Sequence, residues 1–170
     1  MIVIQTFRPE HRDGVIDVIL PIQQKEFGVA VTLEQQPDLL DVPGFYQHGA
    51  GNFWVAISDD RVVGTIALLD IGDGRAALRK MFVKQEYRGA QSGVAAKLLE
   101  VLLKWCNERE LAEVYLGTTA QFLAAHRFYE KHGFTEIAMQ QLPRSFPIMS
   151  VDTKFYLRTL GVARNQVATR

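Results

Sequence analysis

The sequence predicts an α/β domain built on a mixed, mostly antiparallel sheet. Between Asn52 and Val83, three strand-like runs follow one another across short turns rich in Asp and Gly, the pattern of an antiparallel meander. From Gly93 onward, Val94, Leu98, Val101, Leu102, Trp105 and Cys106 recur on one helical face, with Lys97, Glu100, Lys104 and Glu108 opposite. The order strand–helix–strand then returns, and crossovers of that kind favour parallel pairing.

Taken in order, residues 2–7 read as a short strand stopped by Arg8-Pro9. Residues 10–27 place Val15, Ile16, Ile19, Leu20, Ile22 and Phe27 at helical spacing, with an interruption at Pro21. Residues 29–51 are irregular, punctuated by Pro37, Pro43, Gly44, Gly49 and Gly51, with a short helix expected around residues 36–40. Asn52–Ser58 and residues 62–69 form a hairpin across Asp59-Asp60. Residues 70–74 make a second turn, and Arg75–Val83 is the third strand. Beyond the long helix, residues 113–116 form a short strand. Thr118 with Gln121 fits a capping box that opens a helix running to about His132, where Gly133 stops it. Residues 134–139 read as a strand and 142–147 as a proline-bearing loop. Residues 151–160 read as a final β-prone strand, so one domain is expected over 1–160, with a frayed tail at 161–170.

The 170 residues are 48% hydrophobic, enough to fill the core of one domain. Lys plus Arg and Asp plus Glu are 19 each. That balance argues against nucleic-acid binding by bulk charge and against a polybasic membrane-surface protein. Cys106 is the single cysteine, so no disulfide framework or cysteine-based zinc site is expected. The opening MIVIQTFRPEHRDG turns polar too early for a signal peptide. No run approaches the ~20 apolar residues of a membrane span, so no membrane partner is expected and the expected location is cytoplasmic.

The chemistry centres on residues 81–99, MFVKQEYRGAQSGVAAKLL, where a strand runs through a glycine-bearing loop into the long helix. A helix N-terminus carries unsatisfied N–H groups and partial positive charge, and glycine lets backbone approach a ligand closely. Such a junction suits a phosphate or pyrophosphate, and Lys84 and Arg88 add cationic charge against the single Glu86. The loop lacks both the G-x-G-x-x-G of a dinucleotide fold and the Gly-Lys-Ser/Thr of a P-loop. A second segment, AAHRFYEKHGF at 124–134, sets Phe122, Ala125 and Tyr129 near one helical face.

Together the two segments resemble the GNAT N-acetyltransferases. Arg88-Gly89, Gly93-Val94-Ala95 and Leu98-Leu99 resemble that family's pyrophosphate loop and following helix, while AAHRFYEKHGF resembles its second cofactor motif. The resemblance spans nearly the whole chain. It implies a GNAT fold with helices on both faces of the sheet, and acetyl-CoA as cosubstrate. It further implies direct attack by a primary amine of a small molecule or peptide, with no covalent enzyme intermediate. On this pattern Tyr129 protonates the leaving thiolate, and the backbone of Met81, Phe82 and Val83 holds the pantetheine arm. Arg88, Gly89, Ala90, Gln91, Ser92, Gly93, Val94 and Ala95 form the pyrophosphate cradle, with Thr118 and Phe128 as further cofactor contacts.

Three departures stand out. The family spacing puts Arg or Gln three residues before Gly93, where this chain has Ala90, so the loop carries a two-residue insertion. The family's asparagine seven residues before the tyrosine is Phe122, and Thr118 and Thr119 are expected to supply polar contacts instead. The central strand reads AALRK, without the family's frequent carboxylate. Glu26 and Asp152 are therefore the candidate general bases, with Phe27 beside Glu26 on the acceptor side. Cys106 reads as a packing residue. His126 and His132, six apart, fall on different helical faces, and no metal is expected.

Acceptor choice is assigned to residues 26–51 and 142–149. Eight acids against two bases over residues 25–73 favour a cationic amine, while five bases against Glu86 over 79–97 suit the pyrophosphate. Family members often dimerise, and the strand VDTKFYL is expected to offer a homodimer edge. The altered loop and the missing carboxylate also fit a non-catalytic acyl-CoA-binding regulatory module, against which Tyr129 argues.

Overall fold

The expected meander is present as β2 (Asn52–Ser58), β3 (Arg61–Gly72) and β4 (Arg75–Val83) in the computed structural model, which describes residues 1–89, 91–120 and 122–161. Both hairpin turns use left-handed residues, Asp59-Asp60 and Asp73-Gly74, whose positive φ matches the strand twist. β3 runs on to Gly72, so the second turn is tighter than the sequence suggested.

Around the meander, β1 (Val3–Thr6), β5 (Glu113–Thr118), β6 (Thr135–Ile137) and β7 (Lys154–Thr159) complete one sheet of order β1-β2-β3-β4-β5-β7-β6. All pairings are antiparallel except β4 with β5. The mixed α/β sheet is therefore as expected. The dimer edge is not, because β7 lies between β5 and β6 with a ladder on both sides.

Helices cover both faces. α4 (Val94–Glu108) and α5 (Leu123–Lys131) lie on one face, where Leu98, Leu99, Leu102 and Tyr129 pack with Trp54, Ile66 and Leu68. α1 (Arg12–Pro21), α2 (Pro37–Leu40) and α3 (Val42–Phe45) lie on the other, where Val18, Ile19, Leu39 and Tyr46 pack with Phe53, Val55 and Ala67. The period-2 alternation of Phe53, Trp54 and Val55 assigns neighbouring side chains to opposite cores. Cys106 is fully buried in the first core, and burial pushes its thiol up to about 12, as a packing residue requires.

Several boundaries differ from the sequence reading. Pro21 does not break the first helical region: the chain widens into a π-turn at Ile22–Glu26, closed by Phe27 N–H donating to the Ile22 carbonyl at 3.0 Å. α3 was not expected, and Asp41 caps it by accepting from Gly44 N–H at 3.1 Å. Thr118 belongs to β5, and α5 starts at Leu123 behind an N-cap, Phe122, that makes no side-chain cap, so Thr118 does not cap it, while its expected partner Gln121 lies outside the described residues. β7 starts at Lys154, which leaves Asp152 in the preceding loop. Ala90 and tail residues 162–170 also lie outside the described residues.

Candidate active site

The sheet opens where its one parallel pairing stops. β4 pairs with β5 only through Arg75, Ala76 and Ala77, opposite Glu113, Val114 and Tyr115. Beyond Ala77 the strands diverge, and the β5-facing backbone of residues 78–83 has no ladder partner. A bulge contributes to the divergence. Thr65 pairs with Phe82 and Ala67 with Arg79, so Lys80 and Met81 together oppose Ile66. Lys80 sits at φ +53, and Thr65 holds that conformation by donating its hydroxyl to the Lys80 carbonyl at 2.7 Å.

The opening holds a cavity of about 740 Å³. Met81, Phe82 and Val83 line one wall and Thr118, Phe128 and Tyr129 the other, so the structure brings these sequence-predicted residues together. Arg88 and Ala95 line the cavity as well. Gly89 (φ +100) and Gly93 (φ +65) bend the chain into α4, with Gln91 and Ser92 in the turn between them. Gly93 is the N-cap and offers no side chain, so the first amides of α4 have no side-chain acceptor. The Val94 side chain is core, packed beneath the helix, which leaves its backbone as the only part free to meet a ligand.

Tyr129 is buried, and burial alone pushes its hydroxyl up to about 12. Its ring packs against Phe128, Phe134 and Tyr156 at 5.9, 5.7 and 6.0 Å. The Thr119 hydroxyl, also on the cavity wall, is buried without a hydrogen-bond partner among the described residues. An orphaned polar atom on a cavity wall is open to a hydrogen bond from a ligand. Phe122, at the asparagine's place, instead stacks on Phe27 with centroids 4.4 Å apart. That contact closes the cavity between the π-turn and α5.

Both candidate bases, Glu26 and Asp152, line the cavity, and their surroundings differ. Glu26 forms a bidentate ion pair with Arg88, one arm of which is Nη2 to Oε1 at 2.8 Å. The Arg88 hydrogen bond holds the Glu26 carboxyl below its ordinary range, against the effect of burial, which makes it a poor base. Arg88 also donates from Nε to the Val83 carbonyl at 2.8 Å. Asp152 lines the cavity and accepts from Met149 N–H at 2.9 Å. Burial raises its carboxyl above the usual range, opposed by that hydrogen bond and by the charge of Arg79. A Cβ at Gly117 would stand 2.5 Å from Asp152 Oδ2, so the carboxylate lies directly against the diverging end of β5.

Of the eight acids expected to meet a cationic acceptor, Glu26 alone lines the cavity. Asp41 caps α3, Asp70 accepts from the amides of Ala50 and Gly72, and Asp59, Asp60 and Asp73 sit in the hairpin turns. Asp38 accepts from the Tyr46 hydroxyl at 2.7 Å and stands 3.6 Å from Lys80 Nζ. The sequence missed this buried Lys80–Asp38–Tyr46 cluster, and Arg79 beside it. Only the unusual Arg79-Lys80 pair in an otherwise apolar strand hinted at it. Among the described residues, no three His, Cys, Asp or Glu side chains gather into a metal-ligating group, and no helix is long and apolar enough to cross a membrane.

Comparison with known proteins agrees with this architecture. The family model described as "Acetyltransferase (GNAT) family" matches residues 16–134. A GNAT-family acetyltransferase from Staphylococcus aureus Mu50 is 37% identical and superposes with a TM-score of 0.89, covering 94% of this chain and 99% of that one. An acetyltransferase from Streptococcus agalactiae 2603 is 29% identical with a TM-score of 0.89, covering 94% and 98%. The N-acetylaspartate synthetase of Xenopus tropicalis is 35% identical over 104 residues, which is 60% of this chain but only 38% of that protein's length.

Proposed function

The chain belongs to the GNAT acetyltransferase family, and on that premise we propose that it moves the acetyl group of acetyl-CoA to a primary amine by direct attack. The observation that carries this reading is the divergence of β4 from β5 beyond Ala77, with Tyr129 on the wall of the resulting cavity. The unpartnered edge of residues 78–83 suits the amides of a pantetheine arm, which would extend the sheet like a strand. The first amides of α4, the left-handed glycines and Arg88 suit the pyrophosphate.

The steps then follow from the residues present. The neutral amine attacks the thioester carbonyl carbon. A backbone N–H of the diverging β4 end stabilises the developing oxyanion, a contribution of roughly 3 kcal/mol for one such donor. The C–S bond breaks as the C–N bond persists, the electron pair goes to sulfur, and the Tyr129 hydroxyl donates its proton there. A phenol held near 12 stays protonated until charge develops on the sulfur. Asp152 takes the proton lost by the amine, because its carboxylate lies directly against the diverging end of β5. An α-amine ionising at about 7.7–8.0 needs little help from that base near neutrality.

Tyr129→Phe is the test. We expect kcat to fall about 10²–10³-fold while the KM for acetyl-CoA stays within twofold, since only the proton donor is removed. Full turnover in the variant would reject the assignment of Tyr129. Tight coenzyme A binding with no turnover on any amine by the parent protein would favour a regulatory module instead.

A further inference from the structure

Five charged residues line the cavity: Glu26, Arg79, Lys80, Arg88 and Asp152. Two of the cations are committed. Arg88 is neutralised by Glu26. Lys80 is nearly buried, stands 3.6 Å from Asp38 and donates to Gln36 Oε1. Gln36 is itself held by a reciprocal amide pair with Gln23 at 2.9 and 3.1 Å, so this side of the cavity is a fixed polar network.

Arg79 is different. It forms no ion pair with any described carboxylate. Its guanidinium carbon lies 5.6 Å from the Phe45 ring centroid and 5.9 Å from that of Tyr46, stacked against the aromatic faces of α3 and the residue following it. Its one hydrogen-bonding contact is Nη2 to the Met149 sulfur at 3.7 Å, a weak acceptor. A planar fork of donors is thus oriented by aromatic stacking, at the rim of an apolar cavity, with no described oxygen to accept from it. The partner that matches such a fork is a planar anion with two oxygens.

We propose that Arg79 anchors a carboxylate of the acceptor, so that the amine acetylated belongs to a small amino-acid-like molecule rather than to a polyamine or a lysine side chain. This deepens the acetyl-transfer reading and rests on it. Once the Glu26–Arg88 and Lys80–Asp38 pairs are set aside, the cavity keeps one positive and one negative group, Arg79 and Asp152. A zwitterion complements both, with its carboxylate on Arg79 and its amine beside Asp152 at the diverging end of β5. A second cation on the acceptor would instead meet a guanidinium that no described ion pair neutralises, which discriminates against it by repulsion.

Matched acceptors test this: leucine, leucinamide and isoamylamine share a side chain and differ in the carboxylate. In the parent protein kcat/KM should be at least tenfold higher for leucine than for either partner that lacks the carboxylate. In Arg79→Gln the leucine-to-leucinamide ratio should collapse to near one, with Arg79→Lys restoring part of it. A merely structural role for Arg79 would lower all three acceptors together and leave the ratio unmoved. Calorimetric titration of leucine, with and without saturating coenzyme A, separates the two levels of the argument. Leucine binding lost in Arg79→Gln, without turnover in the parent, would reject acetyl transfer and keep the anchor. Turnover that prefers leucinamide or isoamylamine, or a leucine affinity equal in parent and variant, would overturn the anchor and keep acetyl transfer.

Discussion

On the inner side of the cavity, β4, the glycine turn and α4 are positioned by ladder hydrogen bonds and by one continuous core under Leu98, Leu99 and Leu102. On the outer side, the segments around the π-turn, α2, α3 and residues 146–152 are positioned by side chains meeting across long sequence separations. Arg88 reaches Glu26, Lys80 reaches Asp38 and Gln36, Phe27 stacks on Phe122, and Arg79 lies over Phe45. The inner side is built from repeated, cooperative terms, so a single change there is shared among many contacts. The outer side depends on individual pairs, each of which can be removed alone. On the proposed reading, acceptor choice can therefore change on this fold while the cofactor side is kept.

The strongest way to break the outer side is through Lys80 and Asp38, whose side chains are only 9% and 6% exposed. Asp38→Asn leaves a hydrogen-bond acceptor for Tyr46 but strips Lys80 of its counter-charge. Removing one member of a buried pair costs about 3 kcal/mol, which for a chain of this size lowers Tm by on the order of 10 °C. Replacing both, as Asp38→Leu with Lys80→Met, should recover most of that loss, because no buried charge is then left uncompensated. Thermal melts of the two variants decide the point, and equal Tm values would show that the pair does not hold this wall.

Asp152→Asn separates chemistry from stability. If Asp152 is the base, the rate in the parent rises with pH as the carboxyl ionises, at a value above the ordinary 3.8. The variant should lose that acidic limb and about 10²-fold in rate. The stability effect has the opposite sign. A carboxyl whose folded pKa is raised disfavours folding above that value and is neutral below 3.8, so Asp152→Asn should not lower stability at pH 7. A variant that lost rate and Tm together would mark Asp152 as structural.

The same contrast explains what could be read from the sequence. The meander, α4 and the Tyr129 helix were legible because periodicity and Asp/Gly turn chemistry are local signals, and β2 and β4 begin and end where expected. The left-handed Lys80 was not legible, because nothing in Leu78-Arg79-Lys80-Met81 marks a bulge, and a lysine at positive φ is held by Thr65, fifteen residues away. α3 was hidden because Pro43 and Gly44 read as turn residues, yet a proline near a helix start and an Asp cap ahead of it are compatible with one short turn of helix. Arg88 was legible as a cation of the loop but not as the partner of Glu26, since a pair 62 residues apart leaves no trace in either local pattern.

That pair also gives the smallest expected effect. The Arg88 and Glu26 side chains are 35% and 32% exposed, so water screens them and the pair contributes under about 1 kcal/mol. Its pH dependence has a definite sign. Glu26 is held below its ordinary 4.5 in the folded state, so the stabilisation is fully present above that value and is lost as pH falls through the lower folded value. Glu26→Gln should therefore differ slightly from the parent at pH 7 and converge with it once pH falls below that lower value, and added salt should shrink the difference. Its functional consequence distinguishes the two sides of the cavity. On the proposed reading a pyrophosphate at the α4 turn would compete with Glu26 for the same guanidinium, so freeing Arg88 should lower the KM for acetyl-CoA a few-fold while acceptor KM moves little. A change confined to the acceptor KM would instead make the Glu26–Arg88 pair part of the acceptor wall, with no share in holding the pyrophosphate.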